Sequence, residues 1–353
     1  MKTTKKILSI ALTFVIIFMC VSMRVSATEN ISDSAEATAK YIESVLSRYL
    51  RIDDSISYGK VELSDPVKVV NSTDPNGEIY FIKNNGSYIG RLAVTQVNGK
   101  NYSSFMFDND RDIANIIESE IPFVLVSSED TLIMKTNSQC KTLSGSIIDA
   151  REKTLEAGLT FSAIDFEQIN FKDSTASVAS SDYYVSLNVQ RVENATAGGK
   201  GLCWAASIAA VSNYRKGTSY SALDIYNALK NAYGGTPIGD DTWYRRGFGY
   251  CNMSCVFSPN NMQFSSLYTA LRTHNRPVIF NVYRTNNNGE VEGGHAVVLK
   301  YLCGGNEYTT YGFADPNNSN TVYINFEDPN CDPDNFVYYN GHNTYTIWAS
   351  SVY

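Results

Sequence analysis

The sequence predicts an α+β protein in two parts: a larger C-terminal region with a helical half and an antiparallel sheet half, and a smaller α+β region before it. The 353 residues exceed the roughly 100–200 residues of one typical domain. The 24 tyrosines and 16 phenylalanines favour strands, where aromatic side chains are enriched. In the C-terminal region helical patterns precede strand patterns, and such segregation is typical of α+β folds with a cleft between the halves.

Residues 1–27 have the pattern of a secretory signal peptide. Three lysines precede an apolar run from Ile7 to Met23, and Val25-Ser26-Ala27 supplies the small residues of a cleavage site. An uncleaved membrane anchor is the alternative, because the run is long enough to span a bilayer, and it would retain the protein at the cell surface. The cleavage pattern favours a secreted, extracellular product without stable membrane association, from which Cys20 is lost.

Residues 28–171 are predicted to form the smaller α+β region. A helical pattern opens it at 36–49, and Asn85-Gly86 supplies the positive φ angles of a tight turn in a hairpin within 79–94. Further strands are predicted at 102–107, 123–126 and 131–134, with a short helix at 112–118. The region has no histidine and a single cysteine, Cys140, so it presents no catalytic set.

Residues 172–182 are predicted to be an exposed linker. This run of small polar residues has almost no side chain that could join a core. Proteolytic nicking concentrates in such segments. A maturation cut is therefore expected here, between residues 28–171 and the C-terminal region at 183–353.

The C-terminal region is predicted to place three helices before four strands. Ser221 and Asp224 cap the second helix, and Gly234-Gly235 ends it. The other two helices are predicted at 202–213 and 267–274. The strands are predicted at 278–283, 295–302, 308–314 and 321–326, separated by turns rich in glycine and asparagine.

Cys203 follows a glycine-rich stretch at the start of an apolar helix, and His295 opens an apolar strand 92 residues later. A thiol attacks as the thiolate, which a helix N-terminus and a neighbouring imidazolium both favour. Glycines at 198, 199 and 201 allow backbone N–H groups to approach a ligand, as an oxyanion site requires. The pattern predicts a nucleophile and its base; a buried small hydrophobe and a core histidine are the alternatives.

Two further residues are predicted to support this pair. Asp315 ends the strand after the histidine strand, so a hairpin can set it beside His295 as the acceptor that orients the ring. Asn317 is the alternative acceptor, and an ordinary turn residue is the other interpretation of Asp315. Gln190 is a candidate side-chain donor to the oxyanion, or an ordinary polar loop residue. The residues expected to line the substrate cleft are Gly201, Trp204 and Gly294.

The C-terminal region resembles a papain-like cysteine peptidase, in particular the staphopain-like and bacteriocin-leader-peptidase-like branch of bacterial secreted enzymes. The resemblance covers roughly residues 183–353 and rests on four motifs in order: Cys203-Trp204-Ala205-Ala206-Ser207, Pro277-Val278-Ile279, Gly294-His295-Ala296-Val297-Val298-Leu299 and Ala314-Asp315-Pro316. It implies a papain-like fold and the roles of nucleophile, general base, orienting acid and oxyanion donor for Cys203, His295, Asp315 and Gln190. It also implies that residues 28–171 are an inhibitory prodomain lying over the cleft.

The sequence departs from papain itself at two positions. In papain the oxyanion glutamine lies six residues before the cysteine, where this chain has Ala197, and Gln190 lies 13 residues before it. Papain also has asparagine as the third member of its catalytic set, where this chain offers Asp315.

Charge and ligand counts limit the partners. Loss of residues 1–27 removes four basic residues and no acidic ones, leaving 25 basic against 36 acidic residues, a net charge of −11. This balance argues against nucleic acid and anionic membrane surfaces as partners. The expected partners are a protein or peptide substrate and the chain's own residues 28–171 as an intramolecular inhibitor.

No metal or cofactor is predicted. Zinc sites take four ligands, and none of the three histidines lies near the closest cysteine pair, Cys251 and Cys255. That pair could form a local disulfide in a secreted protein. The pairing of the cysteines other than Cys203 stays open: Cys140, Cys251, Cys255, Cys303 and Cys331.

Three functions remain open on the sequence. The first is a secreted cysteine endopeptidase made as a zymogen. The second is a cell-wall peptide amidase or a transamidase with the same Cys-His-Asp set. The third is a non-catalytic secreted binding protein whose surface tyrosines contact a glycan or protein; its candidate residues are Tyr244, Tyr250, Tyr338 and Tyr339.

Overall fold

The structure is a computed structural model, and it describes fourteen stretches of the chain. These are residues 38–39, 42, 60–72, 76–97, 99–108, 110–128, 131–144, 159–169, 183–259, 262–285, 290–304 and 309–326, followed by 336–339 and 343–353 near the C-terminus. The predicted signal peptide and the linker at 172–182 lie outside them. So does most of the helix predicted at 36–49, of which residues 38, 39 and 42 are helical.

The N-terminal unit, residues 60–169, contains nine strands and one helix among the described residues. These are β1 (Val61–Ser64), β2 (Val67–Val70), β3 (Glu78–Asn84), β4 (Ser87–Val97), β5 (Lys100–Phe107), α1 (Arg111–Glu118), β6 (Phe123–Ser128), β7 (Thr131–Thr136), β8 (Cys140–Ser144) and β9 (Phe166–Ile169). Asn85 and Gly86 have φ angles of 54° and 78° between β3 and β4, so the predicted hairpin is confirmed. The Asp110 side chain caps α1, and three isoleucines of that helix are buried.

The C-terminal unit, residues 183–353, contains four helices among its described residues. Its elements are β10 (Tyr183–Ser186), β11 (Thr196–Ala197), β12 (Lys200–Gly201), α2 (Cys203–Lys216), α3 (Ala222–Tyr233), α4 (Asp241–Tyr250), β13 (Phe257–Ser258), α5 (Phe264–Arg272), β14 (Val278–Thr285), β15 (Val291–Gly304), β16 (Thr309–Ala314), β17 (Thr321–Phe326), β18 (Tyr338–Tyr339), β19 (Thr344–Tyr345) and β20 (Ile347–Val352). The capping box of Ser221 and Asp224 and the end of α3 at Gly234 are confirmed.

The predicted fold class is wrong. Of the described residues 43% lie in strands and 24% in helices, and the protein is mostly β around one large mixed sheet rather than a papain-like helical half beside a sheet half. The main strand order is β13-β20-β14-β15-β16-β17-β5-β4-β3-β2-β6-β7-β8. The pairing of β17 with β5 carries the sheet of the C-terminal unit directly into the N-terminal unit. Long-range pairing of this kind leaves no local signal in the sequence.

The helices of the C-terminal unit share one core with the sheet. Residues 204–212 of α2 are all buried, and the Ser207 hydroxyl donates to the carbonyl of Ala296 on β15 at 3.2 Å. Phe280 of β14 and Val297 of β15 belong to the same apolar cluster as Ile208 of α2. This packing sets the N-terminus of α2 against β15, the strand that carries His295.

Candidate active site

Cys203 is the first residue of α2, and a short ribbon of β11 and β12 leads into it. Gly198 and Gly199 form the turn of the ribbon with φ angles of 60° and 76°. A Cβ added at either glycine would meet nothing within 4 Å. The left-handed turn, rather than close approach to a ligand, is therefore what requires glycine at these two positions.

The start of α2 offers backbone donors beside the thiol. Its N-cap residue, Leu202, makes no side-chain cap, and the first N–H groups of a helix have no partner within the helix. The N–H of Leu202 itself donates to Ala195 O at 2.8 Å and Asn194 Oδ1 at 2.9 Å. The N–H groups of Cys203 and Trp204 are among these first N–H groups, so an oxyanion on a carbonyl that the sulfur attacks would have backbone donors beside it.

His295 faces Cys203 from β15. It pairs with Val282 of β14 and is 4% exposed. Its Nε2 lies 2.8 Å from Asp315 Oδ1, which leaves Nδ1 as the ring nitrogen available to the thiol, and the Cys203 side chain hydrogen-bonds to this ring. The structure thus brings Cys203, His295 and Asp315 together.

Asp315 is fully buried at the end of β16, beside the histidine strand as predicted. Its Oδ1 accepts the backbone N–H of Asn317 at 2.7 Å as well as facing His295. Its Oδ2 accepts the Asn318 amide at 2.9 Å and the Tyr338 hydroxyl at 2.5 Å. These donors fix the carboxylate, so that one oxygen is always presented to the imidazole.

The buried pair is electrostatically coupled. Burial alone lowers the His295 pKa, but the Asp315 charge, its hydrogen bond and the Cys203 side chain raise that pKa well above its usual value. Burial alone raises the Asp315 pKa, but His295, Tyr338 and the Asn317 N–H lower it to about 2. An imidazolium beside an ionised carboxylate is the state this environment favours, and it is the state that stabilises a neighbouring thiolate.

A cavity of about 190 Å³ opens at the thiol. The predicted cleft residues Gly201, Trp204 and Gly294 all line it, together with Cys203 and His295. The remaining lining residues come from β11 and β12, α3, the loop before α4, β14 and β15: Ala197, Lys200, Leu202, Tyr226, Thr236, Pro237, Ile238, Gly239, Asn281, Tyr283 and Ala296.

The cleft walls fit closely around two glycines. A Cβ at Gly239 would lie 2.9 Å from the Trp204 Cβ, and one at Gly294 would lie 2.8 Å from Tyr283 Cε1. Real Cβ contacts are essentially never that short, so each glycine leaves the space that its aromatic neighbour occupies. The Tyr283 ring therefore fills the space beside Gly294.

Gln190 is not brought into the cleft. Its side chain is exposed and donates to Asn188 Oδ1 at 2.6 Å, and it is absent from the described residues that line the cavity. The role of oxyanion donor predicted for Gln190 therefore has no geometric support in this structure.

Asn194 is a site-supporting residue that the sequence reasoning missed. Its Oδ1 accepts the N–H of Leu202, directly before Cys203, while its Nδ2 donates to Asn317 Oδ1 at 2.8 Å. Asn317, the alternative orienter, thus binds Asn194 and Asp315 instead of the imidazole. One buried amide therefore ties the nucleophile loop to the acid loop, and no short motif in the sequence marks it.

The tyrosines of the binding-protein hypothesis are mostly internal. Tyr244 and Tyr338 are fully buried, Tyr339 is 2% exposed, and Tyr250 alone of the four is exposed, at 45%. The Tyr244 hydroxyl donates to Asn281 Oδ1 at 2.6 Å behind the cleft. Three of these four side chains cannot contact a glycan or protein at the surface.

Cys203 is a free thiol in the structure. Cys203 and Cys255 are half-buried and Cys251 is buried, so the local bridge considered for Cys251 and Cys255 is not formed. Cys140 is also a free thiol, and Cys331 lies outside the described residues. The proposed nucleophile is therefore not held in a disulfide.

No protein-family model and no curated protein matches this sequence. Within the described residues, no helix is both long enough and apolar enough to cross a bilayer. The case for a function consequently rests on the arrangement of Cys203, His295 and Asp315.

Proposed function

We propose that this chain is a secreted cysteine peptidase that cleaves peptide bonds through Cys203, His295 and Asp315. The observation that carries the proposal is the buried hydrogen-bonded chain from Asp315 through His295 to a thiol at a helix N-terminus, beside a cavity. In such a set the histidine activates the thiol as a nucleophile, and the acid orients the histidine.

The chemistry follows from the positions of these groups. The Cys203 thiolate attacks a peptide carbonyl carbon, and the oxyanion forms beside the backbone N–H groups at the start of α2. The His295 imidazolium donates its proton to the leaving amine as the C–N bond breaks. Neutral His295 then takes a proton from water, which attacks the thioester, and the acid product and the thiol are released.

Secretion and zymogen processing are part of the same proposal. They rest on the patterns at residues 1–27 and 172–182, which lie outside the described residues. The described residues that line the cleft all fall between positions 197 and 296. Inhibition by residues 28–171 filling the cleft remains a prediction from the resemblance.

The test compares two half-buried cysteines. We expect Cys203→Ala to lower turnover of casein about a thousandfold or more and to abolish labelling by a thiol-reactive epoxide, since the nucleophile itself is removed. Cys255→Ala is the matched control and should leave both unchanged. Equal turnover by Cys203→Ala and the unmodified protein would refute the proposal.

The same preparation separates the alternatives. Release of peptides from peptidoglycan with no turnover of casein would indicate the amidase, and new cross-links between added proteins would indicate the transamidase. Absence of epoxide labelling at Cys203 in the processed protein would favour a non-catalytic binding protein.

A further inference from the structure

Strand β18 places two adjacent tyrosines in two different cores. Side chains alternate faces along a strand, so Tyr338 and Tyr339 point in opposite directions. Tyr338 is fully buried in the apolar cluster of the C-terminal unit, which also contains α2 and β15. Tyr339 is 2% exposed and belongs to a cluster of the N-terminal unit with Ile79 and Phe81.

Tyr338 reaches the catalytic acid directly. Its hydroxyl donates to Asp315 Oδ2 at 2.5 Å, on the oxygen opposite the one that faces His295. Its ring packs edge-on against Phe313, with centroids 5.5 Å apart, and lies 6.3 Å from the His295 ring. The position of this ring therefore sets where the Asp315 carboxylate can lie.

Tyr339 attaches the same strand to the N-terminal unit. Its side chain packs in the cluster that β3, α1, β6 and β7 build, and β18 lies against β4 and β5. The adjoining pairing of β5 with β17, at Met106 opposite Val322, fixes the two units edge to edge. A shift of the N-terminal unit would move Tyr339, and Tyr338 one residue away would follow.

We propose that Tyr338 is a positioning residue for the His295–Asp315 pair, and that the N-terminal unit keeps it in place by holding Tyr339. The proposal rests on the peptidase chemistry above, and it replaces the inhibitory role expected of residues 28–171 with a supporting role of residues 60–169 at the site. A cut within 172–182 would then leave the N-terminal unit attached through β5 and Tyr339, with the site intact.

The first test removes one hydroxyl. In the full chain, Tyr338→Phe should lower kcat for casein about tenfold or more at nearly unchanged KM, because a hydrogen bond to a buried charge is lost while the cleft is untouched. Tyr88→Phe is the matched control: its buried hydroxyl faces Asp108 at 3.5 Å in the N-terminal unit, so its kcat should equal that of the wild type. Wild-type kcat in Tyr338→Phe would overturn the proposal.

The second test loosens the attachment. Tyr339→Leu should lower kcat severalfold and slow alkylation of Cys203 by a neutral haloacetamide, whereas Phe123→Leu, in the same cluster on β6, should do neither at equal folded fraction. A rise in kcat for Tyr339→Leu would indicate inhibition by the N-terminal unit and overturn the proposal. Wild-type values of both kcat and the Cys203 alkylation rate in Tyr339→Leu would also overturn the proposal. Lack of Cys203 alkylation in the wild type would instead refute the peptidase function itself.

Discussion

Helix α2 has a cavity at each end, and a half-buried cysteine lines each cavity. At its N-terminus Cys203 lines a space of about 190 Å³ with His295 beside it. At its C-terminus Arg215 and Lys216 line a space of about 420 Å³ that also contains Cys255. The larger cavity is the one without catalytic partners, since no histidine is among its described lining residues.

The difference between the two thiols is their surroundings. Burial raises the pKa of Cys255, and the opposing effect of Arg245 is smaller. Cys203 lies at the N-terminus of α2 and hydrogen-bonds to the imidazole of His295, whose other partner is the buried Asp315 carboxylate. The proposed site therefore differs from the second cavity in having a histidine that a buried acid holds beside the thiol.

The largest effect expected from this comparison is the loss of the base. His295→Gln should lower turnover about a thousandfold or more, since Cys203 loses its proton acceptor and the leaving amine its donor. Alkylation of Cys203 by a neutral reagent at neutral pH should fall toward the rate of Cys255, which itself should not change. Equal alkylation rates for the two thiols in the wild type would remove the distinction between the cavities.

The next effect concerns pH. The Asp315 charge raises the His295 pKa, so Asp315→Asn should lower that pKa. In a plot of the Cys203 alkylation rate against pH, the alkaline limb should therefore move to lower pH. At neutral pH we expect about a tenfold to hundredfold loss in kcat, because the amide still offers an oxygen to Nε2 but no charge. The alkaline limb of Cys255 alkylation should stay in place. If the alkaline limb for Cys203 stayed in place or moved to higher pH, Asp315 would not be the group that raises the His295 pKa.

Much of the local structure could be predicted from the sequence. The turn at Asn85-Gly86 and the capping box at Ser221 are short-range signals, and both are confirmed. The placement of Asp315 beside His295 followed from two consecutive strands, and the pairing of β15 with β16 confirms it. Helix α4 was missed, because Gly247 and Gly249 weaken its helical pattern.

The rest depends on contacts between distant residues. The pairing of β17 with β5 joins residues more than 200 positions apart. It merges the two separate α+β regions that the sequence predicts into one mostly β structure around a single large sheet. Asn194 and Tyr338 act through side chains that meet the site only after folding. Gln190 has the right side chain for an oxyanion donor, but it is exposed and donates to Asn188 instead. Residue type alone therefore does not predict which side chains reach the site.

The smallest expected effect tests how tightly the reactive cavity is built. Gly294→Ala would press a Cβ against the Tyr283 ring, so the ring, which lines the cleft, must shift and change the shape of the cleft. We expect KM to rise severalfold with a smaller change in kcat, and stability to fall by about 1 kcal/mol, as in other overpacked sites. Gly249→Ala in α4 is the matched control. Its Cβ would meet nothing within 4 Å, and alanine is more favourable than glycine inside a helix by about 1 kcal/mol.

Steady-state kinetics and thermal unfolding of the two variants decide the matter. Gly249→Ala should keep wild-type KM and unfold at a slightly higher temperature. If Gly294→Ala also kept wild-type KM, the Tyr283 ring would not bound the substrate site, and the cleft beside Cys203 would be as loosely defined as the cavity around Cys255.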